Sequence, residues 1–276
     1  MNLPTQPALA PAPTWTRITL RGIPLDALTE AQLVHHLFDS LNAGIGGWII
    51  TANLDILRRA LRYPAFRPLL DQANIVTADG MPLVWASRLQ RQPLPQRVAG
   101  SALVSSLAHA ASIHGKRLFL LGGSPGAAQG AAHVLQQRHP NLTIAGTHCP
   151  PIGFESSPAE MLRLTSALRQ ANPHLVYVAL GSPKQEHLIQ ALRHQYPQTW
   201  FIGVGISLSF LAGQVTRAPQ WVQHLGLEWL HRLLQEPRRL AKRYLLHGLP
   251  FAISLFFSAF YRRFLTVRTS VNRKET

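Results

Sequence analysis

The chain has 276 residues but a single cysteine, Cys149, and only 12 acidic side chains against 27 lysines and arginines. One cysteine cannot close an internal disulfide, so a disulfide-stapled secreted scaffold is excluded and a reducing cytoplasm fits best. Histidine is plentiful, but no Cys/His cluster has the spacing of a zinc site. There is no Asp-x-Asp pair to hold a divalent ion against a diphosphate. The Gly-x-Gly-x-x-Gly of a dinucleotide fold and the Lys-Ser/Thr pair of a P-loop are also missing. No metal and no cofactor are expected. The first residues, "MNLPTQPALAPAPT", lack the basic and apolar regions of a secretion signal, and their Pro/Ala content predicts a disordered tail over residues 1–15.

What is present is a globular composition. Hydrophobic residues make up 46% of the chain, enough for a packed core. The net charge of +15 is uneven, because the segment from Arg217 to the end holds 11 lysines and arginines against 3 acids. A cationic segment of that density suits nucleic acid, an acidic membrane or a phosphorylated ligand, and equally a solvated surface.

From residue 17 to about 205, short aliphatic runs alternate with longer segments at helical spacing. Strands are expected over 17–23, 47–52, 73–78, 116–122, 142–146, 174–181 and 199–205, and helices over 29–41, 100–115, 125–138, 157–171 and 183–196. This alternation predicts an α/β, Rossmann-like fold, with a mostly parallel sheet covered by helices on both faces. The core should span 16–215, and residues 216–276 should form a basic appendage of consecutive helices divided at Pro237 and at Gly248–Pro250. The run "LPFAISLFFSAF", 249–260, is shorter than the ~18–20 residues that span a bilayer, so a helix lying on the membrane or on a partner is expected.

Ligands of an open parallel sheet bind outside the carboxyl ends of its strands. Four such ends carry chemistry. Thr51 and Asn53 close one strand, and Asp79 and Gly80 close its neighbour, where Asp79 is either a general base or the cap of the helix that follows. Gly122, Gly123 and Ser124 form a glycine-rich turn before a helix, which either cradles phosphate or is merely tight. Gly181, Lys184 and Gln185 belong to "GSPKQE", where the lysine suits a phosphate and the glutamine suits sugar hydroxyls or a capping role. Arg97 closes a short run nearby in sequence.

Read in order, "TANLDI", "TADGMPLVWASRL", "QRVAGSALV", "FLLGGSPG", "VALGSPKQE", "GVGISLSFLAGQVTRAPQW" and "GLEWLHRLLQEPRRLAKRY" resemble the WecG/TagA/CpsF family, glycosyltransferase family 26, over residues 20–245. The resemblance implies an inverting, metal-independent enzyme at the cytoplasmic face of the bacterial inner membrane. It would move a sugar from a UDP-sugar to a polyprenyl-diphosphate-linked acceptor during surface polysaccharide assembly. It implies Asp79 as base, Arg97 as a catalytic cation, and Thr51, Asn53 and Gln185 as pocket residues. The cations implied at the lipid diphosphate are Arg232, Arg239 and Lys242, with Arg243 adjacent. The family often has an aspartate where this chain has Ser209, which bears on donor recognition. UDP-glucose, UDP-N-acetylmannosamine and its uronate all fit, and a homo-oligomer is compatible with the sequence. A nucleic-acid-binding protein would explain the charge but not the glycine-rich strand ends, so no nucleic-acid partner is expected. A nicotinamide-dependent oxidoreductase would explain the sheet but lacks its fingerprint.

Overall fold

The computed structural model describes residues 15–271; the tail expected over 1–15 falls, but for Trp15, outside them. In chain order, β1 (Arg17–Leu20) and β2 (Ile23–Asp26) are followed by α1 (Glu30–Asn42), β3 (Gly47–Ala52), α2 (Leu54–Arg62), α3 (Arg67–Gln72), β4 (Ile75–Ala78) and α4 (Met81–Leu89). Then come α5 (Gly100–Ile113), β5 (Arg117–Gly122), α6 (Ala127–Arg138), β6 (Thr143–His148), α7 (Pro158–Ala171), β7 (Leu175–Ala179), α8 (Lys184–Leu192) and β8 (Trp200–Gly203). The chain ends in α9 (Ser207–Leu211), α10 (Gln220–His224), α11 (Glu228–Gln235), α12 (Pro237–Ala241), a π-helical segment (Lys242–Gly248) and α13 (Leu249–Val271).

Six strands form one sheet in the order β4-β3-β8-β7-β5-β6. The ladders between β3 and β8, β8 and β7, β7 and β5, and β5 and β6 are all parallel. The fold is therefore the expected α/β, Rossmann-like arrangement, and the buried strands read as continuous apolar runs.

Two features differ from expectation. The run 17–23 is not one strand of this sheet but a separate antiparallel hairpin of β1 and β2. Its two-residue turn, Arg21 and Gly22, takes positive φ at both positions (50° and 78°), the geometry that matches hairpin twist. Nor does Gly248–Pro250 divide the C-terminal helices, because the π-helical turn runs directly into α13. There the Leu249 N–H bonds the Tyr244 carbonyl, five residues back. The widened turn leaves room for the Pro250 ring, which in a regular α-helix would collide with the carbonyl four residues earlier. The result is a helical run of 28 residues, Pro237–Phe264, that is by length and composition long and apolar enough to cross a membrane. Counting only the serine-interrupted stretch 249–260 underestimates it.

The chain forms two compact units. The first comprises Glu30–Ile49 and Gly100–Val215; the second comprises Trp15–Thr29, Ile50–Ala99 and the stretch from Thr216 onward. The first is built on the buried faces of β5, β7 and β8, with Phe119, Tyr177, Trp200 and Phe201 at its centre. The Tyr177 hydroxyl donates to the Val104 carbonyl of α5 at 3.0 Å, and burial pushes this phenol well above its ordinary pKa.

In the second unit α13 packs on α4 and α2, burying Leu255 and Ala259. The Arg21 guanidinium bonds the Ser254 hydroxyl and lies over the Phe251 ring, tying α13 to the hairpin. Gly226, at φ 72°, lets the turn before α11 approach α4. A Cβ there would lie 2.7 Å from Met81 Cβ and 2.9 Å from the Trp85 ring. Asp26 is the polar centre of this unit. It is 3% exposed and accepts from Trp15 Nε1 (3.0 Å), Arg17 Nε (2.8 Å) and the Val76 N–H of β4 (2.8 Å).

Replacing Asp26 by Ala leaves the buried Val76 N–H without its acceptor, a loss of about 1–3 kcal/mol. Chemical denaturation of Asp26→Ala should register that loss with an unchanged m-value.

Candidate functional site

The predicted site residues fall into two groups, one in each unit. In the second unit the Asp79 N–H donates to the Ala52 carbonyl at 2.8 Å, which fixes the turn after β4 beside the turn after β3. The Val98 N–H donates to the Ala78 carbonyl at 3.0 Å, and the Thr77 hydroxyl bonds the Val98 carbonyl at 3.0 Å. These bonds bring the backbone around Arg97 alongside the end of β4. Thr51, Asn53, Asp79, Gly80 and Arg97 are thus assembled from three stretches of chain. The cap position of α4 is occupied by Gly80, at φ 141°, and not by Asp79.

Asn53 has a definite local task. It is the N-cap of α2, and its Oδ1 accepts from the backbone of Asp55 (3.0 Å) and Ile56 (3.1 Å). Thr51 is buried. Arg97 Nη1 is paired with Glu228 Oε2 of α11 at 3.0 Å, with both side chains less than one-fifth exposed.

Three of the predicted C-terminal cations of this unit are likewise held by acids. Glu236 takes Arg239 at 2.8 Å and Arg232 at 3.7 Å. Arg243, at the start of the π-helical segment, lies 3.2 Å from Asp55 Oδ2 of α2. Asp55 also accepts from Arg58 and Arg59. Burial alone would raise its pKa, but the charge of Arg243 and the bonds from Arg59 and Arg58 outweigh burial and hold the carboxyl below its ordinary value of 3.8. Lys242 is exposed on the same turn.

In the first unit, Gly122 ends β5 and Gly123 follows it, with φ of 89° and 87°. A Cβ on Gly122 would meet the Ala179 carbonyl oxygen at 2.9 Å, and the Gly123 N–H donates to that same oxygen at 2.7 Å. Gly122 is thus required by the close approach of β7, and Gly123 by Ala127 of α6, 2.8 Å from where its Cβ would lie, whether or not an anion binds. The turn reads Gly-x-Ser-x-Gly over 122–126, the spacing of a nucleophile elbow, and it sits on a strand–turn–helix. Among the described residues no histidine is hydrogen-bonded to Ser124, so the partner that activates such a serine is missing.

Gly181 has φ 73° and precedes the Pro183 cap of α8. Lys184 is half exposed and paired with Glu155 at 2.8 Å; this bond draws the Glu155 carboxyl below its ordinary pKa. Gln185 is 6% exposed and committed inward. Its Nε2 donates to Glu186 Oε1 at 3.0 Å and its Oε1 accepts from the Gly205 N–H at 3.3 Å. Gly203 has no Cβ where one would stand 2.6 Å from Gln185 Nε2. The sequence leaves this amide to sugar hydroxyls or to a capping role; in the structure its Oε1 holds the turn after β8.

Sequence reasoning missed Asp55, Glu228, Glu236 and Glu155, each of which holds a predicted cation. The available signal was arithmetic: with few acids in a basic chain, an acid beside a quoted motif has arginines to choose from. Among the described residues no group of three or more His, Cys, Asp or Glu side chains is arranged to hold a metal ion.

With this geometry in hand, comparisons with known proteins are informative. The model of the glycosyl transferase WecG/TagA/CpsF family matches residues 18–264. The chain is 31% identical over 228 residues to an N-acetylglucosaminyldiphosphoundecaprenol N-acetyl-beta-D-mannosaminyltransferase of Staphylococcus aureus strain MW2, covering 82% of this chain and 87% of that protein. The enzyme of the same name from strain NCTC 8325 / PS 47 matches equally, and that from strain MRSA252 is 30% identical.

The depressed Asp55 pKa has a consequence for stability. A carboxyl whose folded pKa lies below its unfolded one contributes stability in full above the unfolded value, and loses it as pH falls through the folded value. Wild-type stability should therefore decline on acidification below about pH 4, and part of that slope should vanish in Asp55→Asn when denaturation is followed from pH 6 to pH 2.5.

Proposed function

Because the chain belongs to the WecG/TagA/CpsF family of glycosyltransferases, we propose that it transfers N-acetylmannosamine from UDP-N-acetylmannosamine to N-acetylglucosamine carried on a polyprenyl diphosphate. The reaction inverts the anomeric centre and uses no metal. The observation that carries the reading is the pairing of the β3 and β4 ends by the Asp79–Ala52 bond, within a chain whose relatives bear the name of this transfer.

In the proposed reaction Asp79 takes the proton of the acceptor hydroxyl as its oxygen bonds to the anomeric carbon. The bond from that carbon to the diphosphate breaks, and UDP leaves with the electron pair. Arg97, oriented by Glu228, balances the growing charge. Thr51, Asn53 and Gly80 shape the acceptor side. In the first unit Gly122, Gly123, Ser124, Gly181 and Lys184 suit phosphate, and Gln185 braces the turn after β8. Arg232, Arg239, Lys242 and Arg243 attract the acceptor's diphosphate, for which guanidinium forks are suited.

The lipid-linked acceptor calls for a membrane surface, and we assign the enzyme to the cytoplasmic face of the bacterial inner membrane. What supports an in-plane helix is the surface of α13. Leu249, Ile253, Phe257, Phe260 and Phe264 recur every three or four residues and are 48–73% exposed, while Leu255 and Ala259 on the other side are buried in their own unit. Arginines and lysines stand near both ends of the helical run, where they meet anionic headgroups.

With UDP-N-acetylmannosamine and a short-chain prenyl-diphosphate-linked N-acetylglucosamine, the wild-type enzyme should form a disaccharide product. Asp79→Asn should lower kcat by about 10²–10⁴ at an unchanged melting temperature. Product formation from UDP-glucose alone would refute the donor, and near-normal turnover of Asp79→Asn would refute the base. For the membrane, each large apolar side chain buried in lipid is worth about 1.5–3 kcal/mol. Ile253→Asp/Phe257→Asp should accordingly weaken co-sedimentation with phosphatidylglycerol vesicles by more than about tenfold, and unchanged sedimentation would discard the in-plane helix.

A further inference from the structure

Asp55 is the most heavily engaged acid around the predicted tail cations. Its side chain is 9% exposed and sits in the first turn of α2, two residues after the Asn53 cap. Arg58 reaches Oδ1 through Nε (3.3 Å) and Nη2 (3.0 Å), and Arg59 Nε reaches Oδ2 at 2.9 Å. Those three bonds already satisfy the carboxylate from its own helix. Arg243 arrives from the π-helical segment as a third guanidinium, its Nε 3.2 Å from Oδ2.

The geometry of that third contact is informative. Arg243 Nε is buried and makes no aligned hydrogen bond, so the pair is held by charge rather than by directional donation. Asp55 therefore fixes the root of the guanidinium without consuming its Nη fork, the end that binds phosphate oxygens two at a time. Tyr244, next in sequence, stands edge-on to Trp229 at 6.2 Å, which restrains the same turn from the α11 side. Three guanidiniums on one carboxylate also leave two positive charges uncompensated in a partly buried place. That surplus favours a ligand with at least two negative charges over a single carboxylate or a neutral sugar.

We infer that Asp55 is a positioning residue for acceptor binding: it holds Arg243 with its fork directed to the diphosphate of the lipid-linked acceptor, while Arg58 and Arg59 supply the surplus charge. This rests on the reading of Arg243 as an acceptor ligand given above. The carboxylate touches neither sugar nor phosphate and takes no part in proton transfer. Its effect should thus appear in KM for the acceptor and not in kcat or in KM for the donor.

The test is steady-state kinetics with UDP-N-acetylmannosamine and a short-chain prenyl-diphosphate-linked N-acetylglucosamine. Asp55→Asn should raise acceptor KM roughly tenfold, with kcat and donor KM within about twofold of wild type. Arg243→Ala should raise it similarly, and the double variant should be no worse than Arg243→Ala alone, because both changes remove one interaction. Asp55→Glu, which keeps the charge and shifts it by one methylene, should fall between wild type and Asp55→Asn. If Asp55→Asn fails to fold, the Glu variant carries the test, and a wild-type acceptor KM in it would overturn the inference. An effect of Arg243→Ala with none from Asp55→Asn would overturn it too, leaving Arg243 as a ligand positioned by something else. An unchanged acceptor KM in Arg243→Ala would sink the ligand reading itself and this inference with it.

Discussion

The backbone hydrogen bond from the Asp79 N–H to the Ala52 carbonyl joins the ends of two neighbouring strands, and the chemistry proposed for the second unit rests on that alignment. It aligns the turn that begins at Asn53 with the turn that begins at Asp79, so that the helix capped by one residue starts beside the acid of the other. From Asn53 the cap determines where α2 points its first turn, and Asp55 follows from the cap. A second backbone bond, Val98 to Ala78, extends the same alignment to Arg97. Side chains far apart in sequence are thus located by main-chain bonds, which are less easily displaced than side-chain contacts because neighbouring residues constrain both partners.

The scarcity of acids shapes the electrostatics. Glu228, Glu236, Asp55 and Glu155 each hold one or more of the cations assigned to phosphate. In solvent such pairs contribute little, but where both groups are partly buried they restrict the guanidinium to one orientation. Since cations outnumber acids more than two to one, the pairing organises the positive field without cancelling it. In the proposed reaction the acceptor diphosphate would meet arginines that are already oriented, with little side-chain entropy left to lose on binding.

The sheet was readable because its strands are buried on both faces and stand out as apolar runs; Gly47–Ala52 falls where its pattern says. The hairpin was misread because "RITLRGI" has the composition of one strand, and only the left-handed conformations of Arg21 and Gly22 reveal the reversal. Helices α2 and α3 also depart from the expected elements, although Asn53 followed by a periodic apolar pattern is a helix start. Asp79 and Arg97 were singled out at strand ends, and the tail cations through the family's motifs. Their acid partners were not, because an ion pair such as Arg97 with Glu228 joins residues 131 apart and leaves no local pattern. The inward commitment of Gln185 was equally invisible: a glutamine at a helix start has the same sequence signature whether it faces ligand or core.

The π-helical turn has a rotational consequence. Each residue of an α-helix advances about 100° around the axis, so the azimuth of everything after Gly248 depends on how many residues the wide turn accommodates. Deleting one residue between Lys242 and Gly248 would swing Phe257 and its companions by roughly a quarter-turn and drive Leu255 out of its socket. The wide turn is in this sense the phase setting of the terminal helix, deciding which of its sides is greasy on the outside and which is locked to the protein.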